Sequence, residues 1–164
     1  MMTVIGVDNG PTGSIGIIND SGPLLFKTPV KKEQNYTIKK QNITMVEVLE
    51  LVELLKPYVS EKTKCYLERP MVNPFRFKST LSAVRALQVT IDALKFLKLK
   101  PEYVDSKKWQ KALLPIGIKG SEELKKASLE VGKKLFPTIN FKGFKDADAL
   151  LIAEFYRRRE VNNG

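Results

Sequence analysis

The chain has 164 residues, 43% of them apolar, enough for one domain spanning 1–164 around a single core. It carries 28 basic against 18 acidic residues, a formal net charge of +10 that points to a polyanionic partner. With no histidine and one cysteine, it excludes Ser-His-Asp and Cys-His chemistry, histidine or four-cysteine zinc sites, and an internal disulfide.

The first elements are strands. Thr3 to Val7 is short and β-branched. The turn Asn9-Gly10-Pro11-Thr12-Gly13 leads to Ser14–Ile18, where Ile15 and Ile17 alternate with small residues. A second turn, Asn19 to Pro23, leads to a third strand near Leu24 to Thr28, completing an antiparallel meander. Pro29 to Asn42 is polar and lysine-rich and reads as a loop. Thr44, with Glu47 three residues on, resembles a capping box opening a helix with Val48, Leu51, Val52 and Leu55 on one face. Lys64 to Leu67 forms the fourth expected strand, and Cys65 within it reads as a packing residue.

Arg69 to Lys78 is a loop that interleaves cations with aromatic rings. From Ser79 or Thr80 to about Leu97, the spacing of Leu81, Val84, Leu87, Ile91 and Leu94 predicts a long helix. Tyr103-Val104 is a short strand. Ser106 and Ser121 are candidate caps for two helices, the first carrying Trp109. The last helix begins near Asp146. A meander followed by α/β units predicts an α/β fold, with one mixed five-stranded sheet, parallel strands beside the meander, and helices on both faces. No run approaches the ~20 apolar residues of a membrane span. The N-terminus lacks the basic-then-apolar order of a signal peptide, so the expectation is a cytoplasmic protein without membrane contact.

Asp8 ends the first strand, Glu68 ends the fourth, and Asp146 and Asp148 open the last helix. If the first and fourth strands are parallel neighbours, their ends lie about 5 Å apart and these carboxylates face one crevice. Such a set suits Mg²⁺ or Mn²⁺, and two ions ~4 Å apart can hydrolyse a phosphodiester without histidine. Taken singly, Asp8 also reads as a turn residue, Glu68 as a partner of Arg69, Asp146 as an N-cap, and Asp148 as a charge complementing the helix dipole.

Val7-Asp8-Asn9-Gly10, then Leu67-Glu68-Arg69-Pro70, then Asp148-Ala149-Leu150-Leu151-Ile152-Ala153, together resemble the RuvC-type Holliday-junction resolvases of the ribonuclease H-like superfamily, most of all their bacteriophage and prophage branch. Val104 to Lys111 is similar to the region before the late helices in that branch, and the likeness runs from Val4 to about Glu154. The resemblance implies a magnesium-dependent endonuclease that cuts four-way junctions, with two metal ions held by Asp8, Glu68, Asp148 and a fourth acid. That acid usually stands three or more positions before Asp148, where this chain has Lys145. Asp146 is only two before. Two residues so spaced diverge on a helix, so Asp146 is expected to lie just outside the helix and still reach the metal, with Lys145 available to a phosphate.

Arg69, Phe75, Arg76, Phe77 and Lys78 are candidate DNA contacts, the cations for phosphates and the rings for unpaired bases. Either ring could instead fold into the core. Lys107 and Lys108 beside Trp109 form a second candidate patch, whereas Lys125, Lys126, Lys133 and Lys134 read as a solvated helix face. A two-fold junction suggests a homodimer, with the helix from Thr80 to Leu97 as its interface. Other readings are a ribonuclease H acting on RNA–DNA hybrid and a non-catalytic junction-binding protein. An actin-like ATPase would need about twice this length. A phage-encoded protein would act in the bacterial host cell.

Overall fold

The computed structural model describes residues 2–35 and 40–162. Its main sheet has five strands in the order β3-β2-β1-β6-β7, formed by Gly22–Lys27, Ser14–Asn19, Thr3–Asp8, Thr63–Glu68 and Pro101–Val104. The β1-β2-β3 meander is antiparallel, and β6 and β7 extend it in parallel from β1. The register pairs Val7 with Leu67, so Asp8 and Glu68 are the next residues along two neighbouring strands.

Side-chain alternation divides the core between the two faces of this sheet. Ile5, Val7, Ile15, Ile17, Cys65 and Leu67 pack with helices α1 (Val48–Leu55) and α2 (Phe77–Phe96). Val4, Ile18 and Tyr66 lie on the opposite side, with α3 (Ser106–Leu113), α4 (Ser121–Leu135) and α5 (Asp148–Asn162). The expected mixed sheet with helices on both faces is therefore present.

Helix α5 lies directly on the sheet because two glycines allow it. A Cβ on Gly6 would collide with the Ala149 carbonyl, and one on Gly16 with the Leu150 amide. Ala149 to Glu154 are all buried, since α5 is enclosed by the sheet on one side and by α3 and α4 on others. This close seat fixes the start of α5 over the end of β1.

The segment expected as a loop, Pro29 to Asn42, is largely a β-ribbon. Strand β4 (Val30–Asn35) pairs antiparallel with β5 (Gln41–Val46), from Val30 opposite Val46 to Asn35 opposite Gln41, while residues 36–39 lie outside the described residues. Its lysines and amides hide the strand pattern because most of the ribbon's side chains are exposed, so apolar alternation is not required of them. Thr44 belongs to β5 rather than to a helix. The cap of α1 is Glu47 itself, whose Oε2 accepts the Glu50 N–H at 2.7 Å.

Other boundaries shift for local reasons. Helix α2 begins at Phe77, before Ser79 and Thr80. Thr80 instead ties down the preceding loop, accepting the Asn73 N–H at 3.1 Å and donating to the Asn73 carbonyl at 2.8 Å. Its buried face is Ala86, Thr90, Ala93 and Leu94, whereas Leu81 and Val84 of the expected core line are exposed. Small residues face α1 because the two helices pack closely. Ser106 and Ser121 are first helical residues; the cap positions are Asp105 and Gly120, without side-chain hydrogen bonds. Among the described residues, no helix is long and apolar enough to cross a membrane.

Candidate metal and DNA site

The carboxylate site forms where β1 and β6 end and α5 begins. One carboxylate oxygen from each of Asp8, Asp146 and Asp148 lies within 4.8 Å of the other two. Glu68 stands outside that tight group, but its charge acts on Asp8, and the charges of Asp146 and Asp148 act on it. Helix α5 starts at Asp148, not near Asp146, so Asp146 is released from helical geometry. Its Oδ1 accepts the Asp148 N–H at 3.2 Å, so it both closes the turn into α5 and joins the group.

Proximity and burial make these acids hard to ionise together. Burial, then Glu68, Asp148 and Asp146, push the Asp8 carboxyl well above the ordinary range, with Lys125 opposing. Burial, Asp148 and Asp146 push Glu68 up to about 8. Asp148 is pushed up to about 7 by burial and Asp146, against a hydrogen bond from Ser128 and the charge of Lys125. Three convergent carboxylates, with Glu68 electrostatically close, thus face little compensating positive charge. An all-oxygen donor set of this kind fits a hard divalent cation such as Mg²⁺ or Mn²⁺.

Two residues near this group were not among the sequence candidates. Ser128 on α4 is fully buried; its hydroxyl donates to Asp148 Oδ1 and accepts the Ala147 N–H at 3.0 Å. Nothing in the sequence marks it, because a serine inside an amphipathic helix is unremarkable until its packing partner is known. Lys125, one turn earlier and half-buried, is electrostatically close to Asp8 and Asp148. The lysine-rich pattern read as a solvated face, which holds for exposed Lys126, Lys133 and Lys134 but not for Lys125.

The candidate DNA contacts fall in four places. Phe75 is 95% exposed and Phe77 71% exposed, so neither ring is in the core. Arg76 and Lys78 are exposed beside them, at the cap position and in the first turn of α2. Arg69 does not pair with Glu68; its guanidinium lies 3.8 Å from Asp105 and over the Tyr103 ring. Lys107 and Lys108 are exposed on α3, whose Trp109 is buried in the core. Lys145 is exposed immediately before Asp146.

No protein-family model and no curated protein matches the sequence. Solved structures do match the fold. RuvC of T. thermophilus in complex with Holliday junction substrate aligns with a TM-score of 0.63 at 16% identity, covering 98% of this chain and 97% of that one. A second structure, Thermus thermophilus RuvC, aligns with a TM-score of 0.57 at 18% identity over 97% of each chain. Over nearly its whole length, then, the chain has the ribonuclease H-like fold found in RuvC.

Proposed function

We propose that this protein is a metal-dependent, structure-selective endonuclease that resolves four-way junctions, and other branched DNA, by phosphodiester hydrolysis. The observation that carries this reading is the convergence of half-buried Asp8, Asp146 and Asp148, with Glu68 alongside, on a fold otherwise seen in RuvC. The basic balance of the chain supports a nucleic-acid substrate.

In this account, Asp8, Glu68, Asp146 and Asp148 hold two Mg²⁺ ions, for which Mn²⁺ substitutes. Bound there, the metal supplies an activated water and stabilises the leaving oxygen. Ser128 orients Asp148, and Lys125 offsets part of the negative charge. Exposed Phe75 and Phe77 stack on bases that are unpaired at the branch point, while Arg69, Arg76, Lys78, Lys107, Lys108 and Lys145 contact phosphates. A homodimer presents one such site to each of two symmetry-related strands, with α2 as its interface. The chain acts as one nuclease domain spanning 1–164, placed in the phage branch of the resolvases and in the cytoplasm of a bacterial host.

Labelled four-way junction, linear duplex and RNA–DNA hybrid, each incubated with Mg²⁺ or chelator, test this reading. Paired nicks in the junction alone, lost in chelator, are expected. Preferential cutting of hybrid would favour a ribonuclease H. Tight junction binding without cutting would indicate a non-catalytic binder.

A further inference from the structure

A groove of about 750 Å³ runs between the β4–β5 ribbon and the first half of α2. The turn after Asp8, from Asn9 to Thr12, also lines it. Ile43 and Met45 come from the ribbon, and Leu81 and Val89 from the helix. Exposed Lys78 and Arg85 contribute cations, and no acidic side chain among the described residues lines the groove. Neither cation forms an ion pair among the described residues.

This combination has a definite chemical complement. Apolar walls accept the face of a flat ring, and unpaired cations at the margin accept a phosphate. The volume falls within the roughly 300–1,000 Å³ of clefts that enclose small ligands. A nucleobase still paired in a duplex cannot insert between two such walls, but one taken out of its stack can. We propose that the groove receives one unstacked nucleotide of the bound DNA, adjoining the phosphate presented to the carboxylate site. Its base lies between the ribbon and α2, and its phosphate lies toward Lys78 and Arg85. The ribbon is what makes this subsite, because it supplies one of the two walls. The inference rests on the nuclease reading above.

A second copy of the chain is the competing occupant. It is less favoured because the groove opens beside the carboxylate turn and its unpaired cations complement a phosphate rather than another copy of this basic chain.

The test places 2-aminopurine at successive positions flanking the cut in a four-way junction. Fluorescence and binding are followed with Asp8→Asn protein in chelator, so that the DNA stays intact. Emission should rise severalfold at one position next to the cut. Ser82→Trp, which fills the groove, and Arg85→Glu, which reverses its charge, should abolish that rise. Both should weaken binding by about tenfold, the loss expected for one stacked base. Neither should change the molecular mass in solution. Arg85 is exposed, so its variant keeps the test sound if Ser82→Trp fails to fold. An unchanged rise and affinity in Arg85→Glu would overturn the subsite, as would variants that convert a dimer to a monomer. If the wild type cuts junctions but no position brightens, the subsite alone falls. If it neither binds nor cuts them, the nuclease reading falls too.

Discussion

The Ser128 hydroxyl bridges two consecutive residues of the α5 start, donating to Asp148 Oδ1 and accepting the Ala147 N–H at 3.0 Å. One small side chain from α4 thereby fixes both the backbone entering α5 and a candidate metal ligand. Ser128→Ala should leave the buried Ala147 N–H unpaired, at a cost of about 1–3 kcal/mol in stability. It also removes a hydrogen bond that holds the Asp148 carboxyl down. The acid limb of the cleavage pH profile should therefore move to higher pH. A profile that keeps its position while the melting temperature falls would assign Ser128 to packing only.

The raised acids make a signed prediction for the metal-free protein. Asp8, Glu68 and Asp148 all sit above their unfolded values, Glu68 at about 8 and Asp148 at about 7. A carboxyl raised in the folded state contributes stability that is complete below its unfolded value, about 4. That stability is lost as pH rises through the folded value. In chelator, the melting temperature should fall from pH 5 to 8.5, and Mg²⁺ should restore it most at the upper end. Asp8→Asn should flatten the fall and blunt the response to Mg²⁺. A metal-free protein that gains stability across this window would contradict the electrostatic account.

Phe75 and Phe77 project from the loop end and the first turn of α2, both exposed. Phe75→Ala should shift stability by no more than about 0.5 kcal/mol, as at an ordinary surface position. If its ring stacks on a base, junction binding or distortion should weaken by about 1–3 kcal/mol. Calorimetry beside a junction-binding titration separates these effects; a large fall in melting temperature would defeat the stacking role.

Val84 and Phe96 leave apolar surface exposed on α2 that the proposed homodimer would cover. Light scattering at micromolar concentration should give twice the chain mass, and Val84→Glu should halve it. A monomer that still makes paired nicks would require assembly on the DNA.

Much of the arrangement was legible where burial imposes a pattern. The meander and the β1–β6 pair follow from short apolar runs, and the turns of the meander are rich in glycine, asparagine and proline. Asp8 and Glu68 were legible as acids at the ends of those strands. The ribbon was not, because its exposed lysines and amides carry no alternation to read. Leu81 and Val84 were misplaced for the converse reason: apolar residues at helical spacing do not reveal which stripe is buried when the neighbouring helix is met by Ala86 and Ala93. Lys125 and Ser128 depend on how α4 docks against α5, a tertiary relationship that leaves no local trace.

The central claim is that the carboxylate group cuts branched DNA with the help of divalent metal. Purified wild-type and Asp8→Asn proteins, both shown to be folded, should be compared on a labelled four-way junction in Mg²⁺ and in chelator. The wild type should make paired nicks only in Mg²⁺. Asp8→Asn should bind the junction yet lose at least about 100-fold in cleavage, more than the 10–100-fold typical of residues that merely support metal ligands. Cleavage by Asp8→Asn near the wild-type rate, still dependent on Mg²⁺, would contradict the assignment of the site.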